Sequence, residues 1–590
     1  MLSMLIDDGL LVRSDGRWVA ACDLSAVPVP PTIRAVLAAR LDRLAPSERG
    51  AIERASVVGK GFSLGAVSAL SPEGVRSEVA REIAALVRKD LLVPERSTLP
   101  GEEAFRFRHV LIRDVAYEGL PKELRAELHE RFADWFEGVA GERIAEQEEI
   151  AGYHLEQACR LRLELGPVDE RGRELAGRAA ERLAAAGRRA FARGDMRATV
   201  NLLSRANGLL PEDDPARPAL APDLGRALAE IGELPSADAL LVRAIALASE
   251  LGERSPEAHA RLALLDVRER ADPRAWREIS SVTEAVIPVF EELGDDRGLA
   301  RAWYMRAFIE EDSPACFERA AEHARRAGDQ RLAMECRYWI LCRNLFDDAT
   351  PLSEIERRTE EFRRKVEQAG AGREPEAWVF DLRGHTDSLR GRHDAARDAF
   401  RSCFGIFEEL GRTYWATRWV TCSAMAEMEA GDLTAAERLL HEGFEALERM
   451  GGRGERASLA LNLAEVLYRQ GRYEEARRHA LEAERDDPED DDLAAWSALC
   501  RAKVLAQQGE RDAAERLVRD AAATLAEGWA SHVHLGSLPF GRLDLAEVFR
   551  LCGKTEEATA IASEALALYE RKEADSMAAR ARAFLEDLAR

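Results

Sequence analysis

The sequence predicts an almost entirely helical protein, a long array of stacked helix pairs preceded by a small domain of three helices and a β-hairpin. Three observations carry this. Ala, Leu, Glu and Arg dominate and aromatic residues make up only 6%, a composition that favours helices over sheets. Leu463–Ala476 aligns without gaps on Leu545–Ala558, with eight of fourteen positions identical and an offset of 82 residues, two units of 41. Glycines also fall in two interleaved series with steps of about 40 residues, a period that means stacked helical units.

At 590 residues the chain exceeds what one core organises. Its 46% hydrophobic content fills cores, and the 32% charged residues, both signs interspersed, read as solvated helix faces. The net charge of −23 repels phosphate backbones and anionic lipid, so nucleic acid and membrane surfaces are not expected partners. A local basic cluster around Arg34, Arg40 and Arg43 is the exception to weigh. Nine dispersed cysteines without a Cys-x-x-Cys pair read as reduced, buried small side chains. No uncharged apolar run is long enough to span a bilayer, and Asp7 and Asp8 stand where a signal peptide needs positive charge. A cytoplasmic location is expected.

From the N-terminus, Met4–Val12 and Arg17–Ala20 read as a helix tail followed by a short strand pair. Apolar residues here, Met4, Leu5, Ile6, Leu10 and Leu11, suit contact with a neighbour. Pro28, Pro30 and Pro31 break the chain. Thr32–Leu44 is an amphipathic helix with Ile33, Val36, Leu37 and Leu41 on one face. Ser47–Val58 and Glu78–Val87 are two more, and Leu91–Val93 with Phe105–Phe107 form a hairpin. Three helices closed by a hairpin make a winged-helix arrangement over 31–137. A helical linker follows over 138–174, and the repeats occupy 175–590.

Within the repeats one glycine series is Gly194, Gly232, Gly391, Gly431, Gly471, Gly509 and Gly553, with steps of 40, 40, 38 and 44 from Gly391. The other, Gly252, Gly294, Gly328, Gly370, Gly411 and Gly451, has steps of 42, 34, 42, 41 and 40. Alternation of helix A, turn, helix B, turn produces this pattern, with glycine closing each helix in the left-handed conformation. Acidic residues such as Glu474 and Glu475 then enter the next first turn, where the helix dipole favours them.

The turns Gly471–Ala476 and Gly553–Ala558 resemble the inter-helix turn of tetratricopeptide repeats, in units nearer 40 residues than the usual 34. The fold expected is therefore all-α, a tetratricopeptide-like helix-pair superhelix behind a winged-helix domain with a short β-hairpin. Val29–Leu44, Ala55–Gly59, Phe105–Tyr117 and Tyr153–Ala158 are further similar to a stretch of bacterial signal-transducing P-loop ATPases of the kind fused to class III adenylate or guanylate cyclases. That resemblance implies that 1–30 corresponds to the end of an ATPase domain, supplied upstream or by a separate protein. It implies a regulatory arm that binds a protein, peptide or small-molecule signal through the inner groove of its repeats, without catalysis of its own. The alternative is a transcriptional regulator that uses the winged helix, with the repeats as effector domain.

Candidate sites are few, and neither a cofactor nor a metal is expected. No Gly-x-x-x-x-Gly-Lys-[Ser/Thr] loop occurs to cradle phosphates. Gly553-Lys554-Thr555 imitates its end, but Val548 replaces the required glycine; Gly59-Lys60-Gly61 lacks a following hydroxyl. His532 and His534 offer two metal ligands without a third at a familiar spacing. His109 is the one nucleotide-proximal candidate, because the resemblance places a winged-helix histidine near the phosphates; the bland reading buries it between hairpin and next helix. Trp303, Tyr304, Trp339, Trp378 and Trp415 read as packing between repeats before they read as contacts.

Overall fold

The computed structural model describes residues 11–14, 17–20, 33–96, 102–140, 144–167, 169–310, 312–346, 350–370, 372–453, 456–486, 489–527 and 541–590. It divides into two compact units, one running to Ala186 and including Arg205–Pro211, the other made of Gly187–Ser204 and Glu212–Arg590. The expected helix tail at 4–10 lies outside the described residues.

The first unit opens on an antiparallel hairpin of β1 (Leu11–Ser14) and β2 (Arg17–Ala20). Next come α1 (Ile33–Asp42), α2 (Pro46–Val58), β3 (Gly61–Ser63), α3 (Leu64–Leu70), a 3-10 turn at Glu73–Glu78, α4 (Val79–Arg88), β4 (Leu92–Glu95) and β5 (Ala104–Phe107). The strands form one antiparallel sheet in the order β3-β5-β4. Ile52, Val67, Ile83, Leu86, Leu92 and Phe107 are fully buried between sheet and helices. The sequence reading missed β3 and α3, because three and seven residues are too few to show a period. Ser63 explains their junction: its side chain accepts from Ala66 N and caps α3 directly off the strand. The unit continues through α5 (Val110–Glu118), α6 (Lys122–Ala140) and α7 (Ile144–Leu165).

The boundary between the units falls within α8 (Glu170–Ala192) and α9 (Met196–Leu209). Beyond them, helices alternate in two kinds. The A helices are α10 (Arg217–Glu230), α12 (Arg254–Ala271), α14 (Asp296–Arg306), α16 (Gln330–Phe346), α18 (Glu374–Leu389), α20 (Thr413–Ala430), α22 (Arg456–Arg469), α24 (Asp491–Gln507), α26 (Gly541–Leu551) and α28 (Asp575–Leu588). The B helices between them are α11 (Leu234–Leu251), α13 (Ile279–Leu293), α15 (Ser313–Arg326), α17 (Leu352–Ala369), α19 (His393–Glu409), α21 (Leu433–Met450), α23 (Tyr473–Asp486), α25 (Arg511–Glu527) and α27 (Thr555–Lys572).

The two kinds differ in burial for a physical reason. Eleven of the fourteen residues of α10 are buried, against five of eighteen in α11. The same contrast recurs downstream, with ten of fourteen in α22 and three of fourteen in α23. An A helix is therefore packed on several sides, whereas a B helix buries one stripe and turns its charges to water. Every glycine of both series has a positive φ, 79° at Gly471 for instance, which closes a helix without a Cβ clash. Residues far apart in sequence also meet inside this unit: Met196 N donates to Leu410 O at 3.2 Å and Arg453 N to Arg270 O at 3.0 Å. These contacts join successive turns of a superhelix.

Candidate functional site

The geometry of an A helix decides which of its side chains face inward. Counting back from the glycine that ends each helix, the residue six positions earlier is His385, Met425, Glu465, Lys503 or Glu547, and the residue two positions earlier includes Glu429, Arg469 and Gln507. These positions are one helical turn apart and share a face. In the C-terminal repeats they line an open cavity of about 380 Å³, together with Tyr468, Tyr473, Asp544 and Arg580.

Its walls are charged and interlocked. Lys503, with its side chain only 1% exposed, places Nζ 2.7 Å from Glu465 Oε2, 3.1 Å from Asp544 Oδ1, and 4.3 Å from the centre of the Tyr468 ring. Arg469 donates to Glu465 at 2.7 Å, Arg580 Nη1 stands 3.1 Å from Glu429 Oε1, and the Tyr468 hydroxyl donates to Glu547 at 2.8 Å. Burial drives the Asp544 carboxyl up to about 6, with Glu465 and Glu547 adding to the rise against the pull of Lys503. Burial acts on Glu465 in the same sense, but Lys503 and Arg469 overcome it and hold that carboxyl low. Four carboxylates, Glu429, Glu465, Asp544 and Glu547, thus face three cations, Arg469, Lys503 and Arg580. Such a wall binds an added cation more readily than an anion.

Further up the array the inward face is filled by the chain itself. Glu230 of α10 accepts from Arg412 Nε at 3.0 Å and from Trp415 Nε1 at 3.1 Å, and lies 2.8 Å from Arg270 Nη2. Arg412 also pairs with Glu374, whose other oxygen lies 3.4 Å from Arg331 Nη1. Arg331 pairs with Glu335 at 3.1 Å, Glu335 accepts from the Tyr304 hydroxyl, and that hydroxyl accepts from Trp339 Nε1. Trp339, Trp378 and Tyr304 are buried and Trp415 is 8% exposed, so these aromatics pack, and Trp303 lies partly buried beside Arg319.

The remaining sequence candidates fall elsewhere. His109 is exposed rather than buried under the hairpin; it precedes α5, and its Nδ1 accepts from Leu111 N at 3.2 Å. Its ring caps the first turn of α5 and does not tuck under the hairpin, which is why the buried reading fails. Gly553-Lys554-Thr555 forms the turn into α27. His532 and His534 lie outside the described residues. The sequence did not reveal the groove residues, because the inward positions change residue type from one repeat to the next.

Residues 456–483, α22 and most of α23, match the family model described as tetratricopeptide repeat. The chain carries tetratricopeptide-like repeats. No curated protein matches it. Among solved structures, yeast Tom70 is 12% identical and covers 78% of this chain and 96% of its own, with a TM-score of 0.29. Rap protein complexed with competence and sporulation factor is 14% identical over 63% of this chain and 97% of its own, with a TM-score of 0.33. A signal transduction ATPase with numerous domains, with a tetratricopeptide repeat sensor, from Pyrococcus horikoshii, is 12% identical over 83% of this chain and 68% of its own, with a TM-score of 0.27. Among the described residues no helix is long and apolar enough to cross a membrane.

Proposed function

We propose that this chain is the partner-binding arm of a signalling ATPase assembly, and that it takes a protein or peptide segment presenting a basic side chain into the groove between α20 and α28. The observation that supports this most is the excess of carboxylates on the inward register of the A helices, around a cavity of about 380 Å³. Such a cavity admits one or two side chains. Asp544 and Glu547 share one helix, α26, and Lys503 and the Tyr468 hydroxyl stand between them and the opposite wall.

The ATPase context draws support from the first unit. Its order of α2, β3, α3, α4, β4 and β5, with the sheet closed by a hairpin, supports the winged-helix reading. His109 is exposed, which leaves it accessible for the contact with a nucleotide-bearing neighbour that this reading requires. DNA reading is the weaker proposal. Arg81 of α4, the helix that would enter a groove, is engaged by Glu78 and Glu82; Arg34 pairs with Glu118, and Arg40 donates to Lys89 O.

A phage-displayed library of random peptides, panned on the purified full chain, tests the proposal. Enriched sequences are expected to share a lysine or arginine and to bind the double variant Asp544→Asn/Glu547→Gln at least about tenfold more weakly. Binding to the unaltered chain tightens from pH 5 to pH 7. Asp544, with its pKa near 6, is largely protonated at the lower value and charged at the higher. Peptides that bind the double variant as tightly as the original, with no pH trend, overturn the assignment of the groove.

A further inference from the structure

The inward register that carries the groove's charges brings a different set together in the repeat before it. His385 lies six residues before its turn glycine, as Glu465, Lys503 and Glu547 do, and Cys422 lies nine before its own, as Asp544 does. Asp381 stands four residues ahead of His385 on α18, on the same face. One ligand atom from each of Asp381, His385 and Cys422 falls within 4.8 Å of the other two, and all three residues are buried.

Two of these groups, His385 and Asp381, are oriented from outside the cluster. Phe346 and Phe400 meet the His385 ring edge to face, with centroids 5.2 and 5.1 Å away and both interplanar angles 81°. Asp381 Oδ2 accepts from the buried Tyr338 hydroxyl at 2.9 Å, and its Oδ1 stands 3.5 Å from His385 Nε2. That separation is long for a hydrogen bond. Two donor atoms held on one tetrahedral ion at ~2.0 Å lie about 3.3 Å apart, close to the spacing observed. A small cavity of about 20 Å³, room for one water, adjoins His385 and Cys422 and is bounded by Glu429. Glu429 supplies the independent sign of a ligand here. Its side chain is 5% exposed and Arg580 and Arg469 face its Oε1, but among the described residues no donor reaches its buried Oε2.

We infer that Asp381, His385 and Cys422 form a site for one divalent transition-metal ion of the zinc class, with a water in the fourth position that donates to Glu429. Thiolate with imidazole selects zinc and its spectroscopic substitute cobalt over magnesium or calcium. The ion would tie α18 to α20. Glu429 lines both this cavity and the groove, so occupancy of the site reaches the groove wall through one side chain.

The test uses the purified full chain, stripped with a chelator, and Co²⁺ and Zn²⁺ as the probes. One equivalent of Co²⁺ should give a thiolate-to-cobalt band in the near ultraviolet with the visible bands of a tetrahedral ion, and Zn²⁺ should displace it. Cys422→Ser is expected to abolish the ultraviolet band, and Asp381→Asn or His385→Ala to abolish stoichiometric uptake. Glu429→Gln, which meets the ion only through the water, should weaken Zn²⁺ binding about tenfold while the chain stays folded. Cys552→Ser and a His532→Ala/His534→Ala double variant serve as controls and should bind as the unaltered chain does. A folded, unaltered chain that takes up no Co²⁺ overturns the site. So does uptake that survives in Cys422→Ser and His385→Ala but is lost in the His532/His534 variant.

Discussion

Glu573 occupies a position where the repeat pattern calls for glycine. It follows α27 with φ at 61°, a left-handed conformation that costs a residue with a Cβ about 1 kcal/mol. Its side chain offsets that cost by reaching across a turn of the superhelix, where it accepts from Ser353 N at 3.0 Å, Ser353 Oγ at 2.9 Å and Arg390 Nη2 at 2.8 Å. Two substitutions separate strain from contact. Glu573→Ala loses the hydrogen bonds and keeps the strain, so it should destabilise the C-terminal repeats; Glu573→Gly loses the same bonds but relaxes the backbone. Urea unfolding followed by far-ultraviolet circular dichroism should place the glycine variant about 1 kcal/mol above the alanine variant and close to the original. Equal losses in the two variants would mean that the backbone there carries no strain worth relieving.

Small residues on α8 and on the A helices set how closely each helix pair approaches. Seven positions before the turn glycine stand Gly187, Gly225, Gly384, Ala424, Ala464, Ala502 and Ala546. A Cβ added at Gly384 would come within 2.6 Å of the Phe400 ring on α19, and one at Gly225 within 2.7 Å of Leu241. In the same helix pair, Gly405 of α19 meets nothing within 4 Å. Alanine favours a helix interior over glycine by about 1 kcal/mol, so Gly405→Ala should stabilise by that order. Gly384→Ala gains the same propensity but forces a large buried ring to move, which costs about 1–3 kcal/mol, and the net effect should be a loss. Opposite shifts in the melting temperature of the two variants are the expected result. The helix pairs and their turns were legible in the sequence because glycine, and small residues at fixed distances from it, answer to backbone geometry that repeats. The groove was not legible, since His385, Met425, Glu465, Lys503 and Glu547 share a register but, the two glutamates apart, not a residue type. Nor were β3 and α3, whose lengths fall short of a detectable period.

At the scale of the whole repeat array, the question is what holds one turn of the superhelix against the next. Apolar packing runs through the array, and polar links also join residues far apart in sequence, with Arg412 central to them. It joins Glu230, 182 residues away, to Glu374, and with the neighbouring Arg270 and Arg331 it balances three buried carboxylates, Glu230, Glu335 and Glu374. Burial disfavours the charge on Glu230, and Arg270 and Arg412 reverse that, so its carboxyl titrates below its ordinary value. The stability Glu230 contributes is therefore fully present above the unfolded carboxylate's pKa and is lost as pH falls through the folded one. Arg412→Met removes the cation and leaves Glu230 and Glu374 buried with one arginine partner each, which should cost about 3–5 kcal/mol. Adding Glu230→Gln to that variant removes one of the stranded charges and should recover part of the loss. If the network is what joins successive turns, Arg412→Met should also open them, raising the radius of gyration in small-angle scattering and exposing the turn at Gly411 to protease. A variant that loses stability without any expansion would show that apolar contacts such as Met450 against Gly232 keep the turns together on their own.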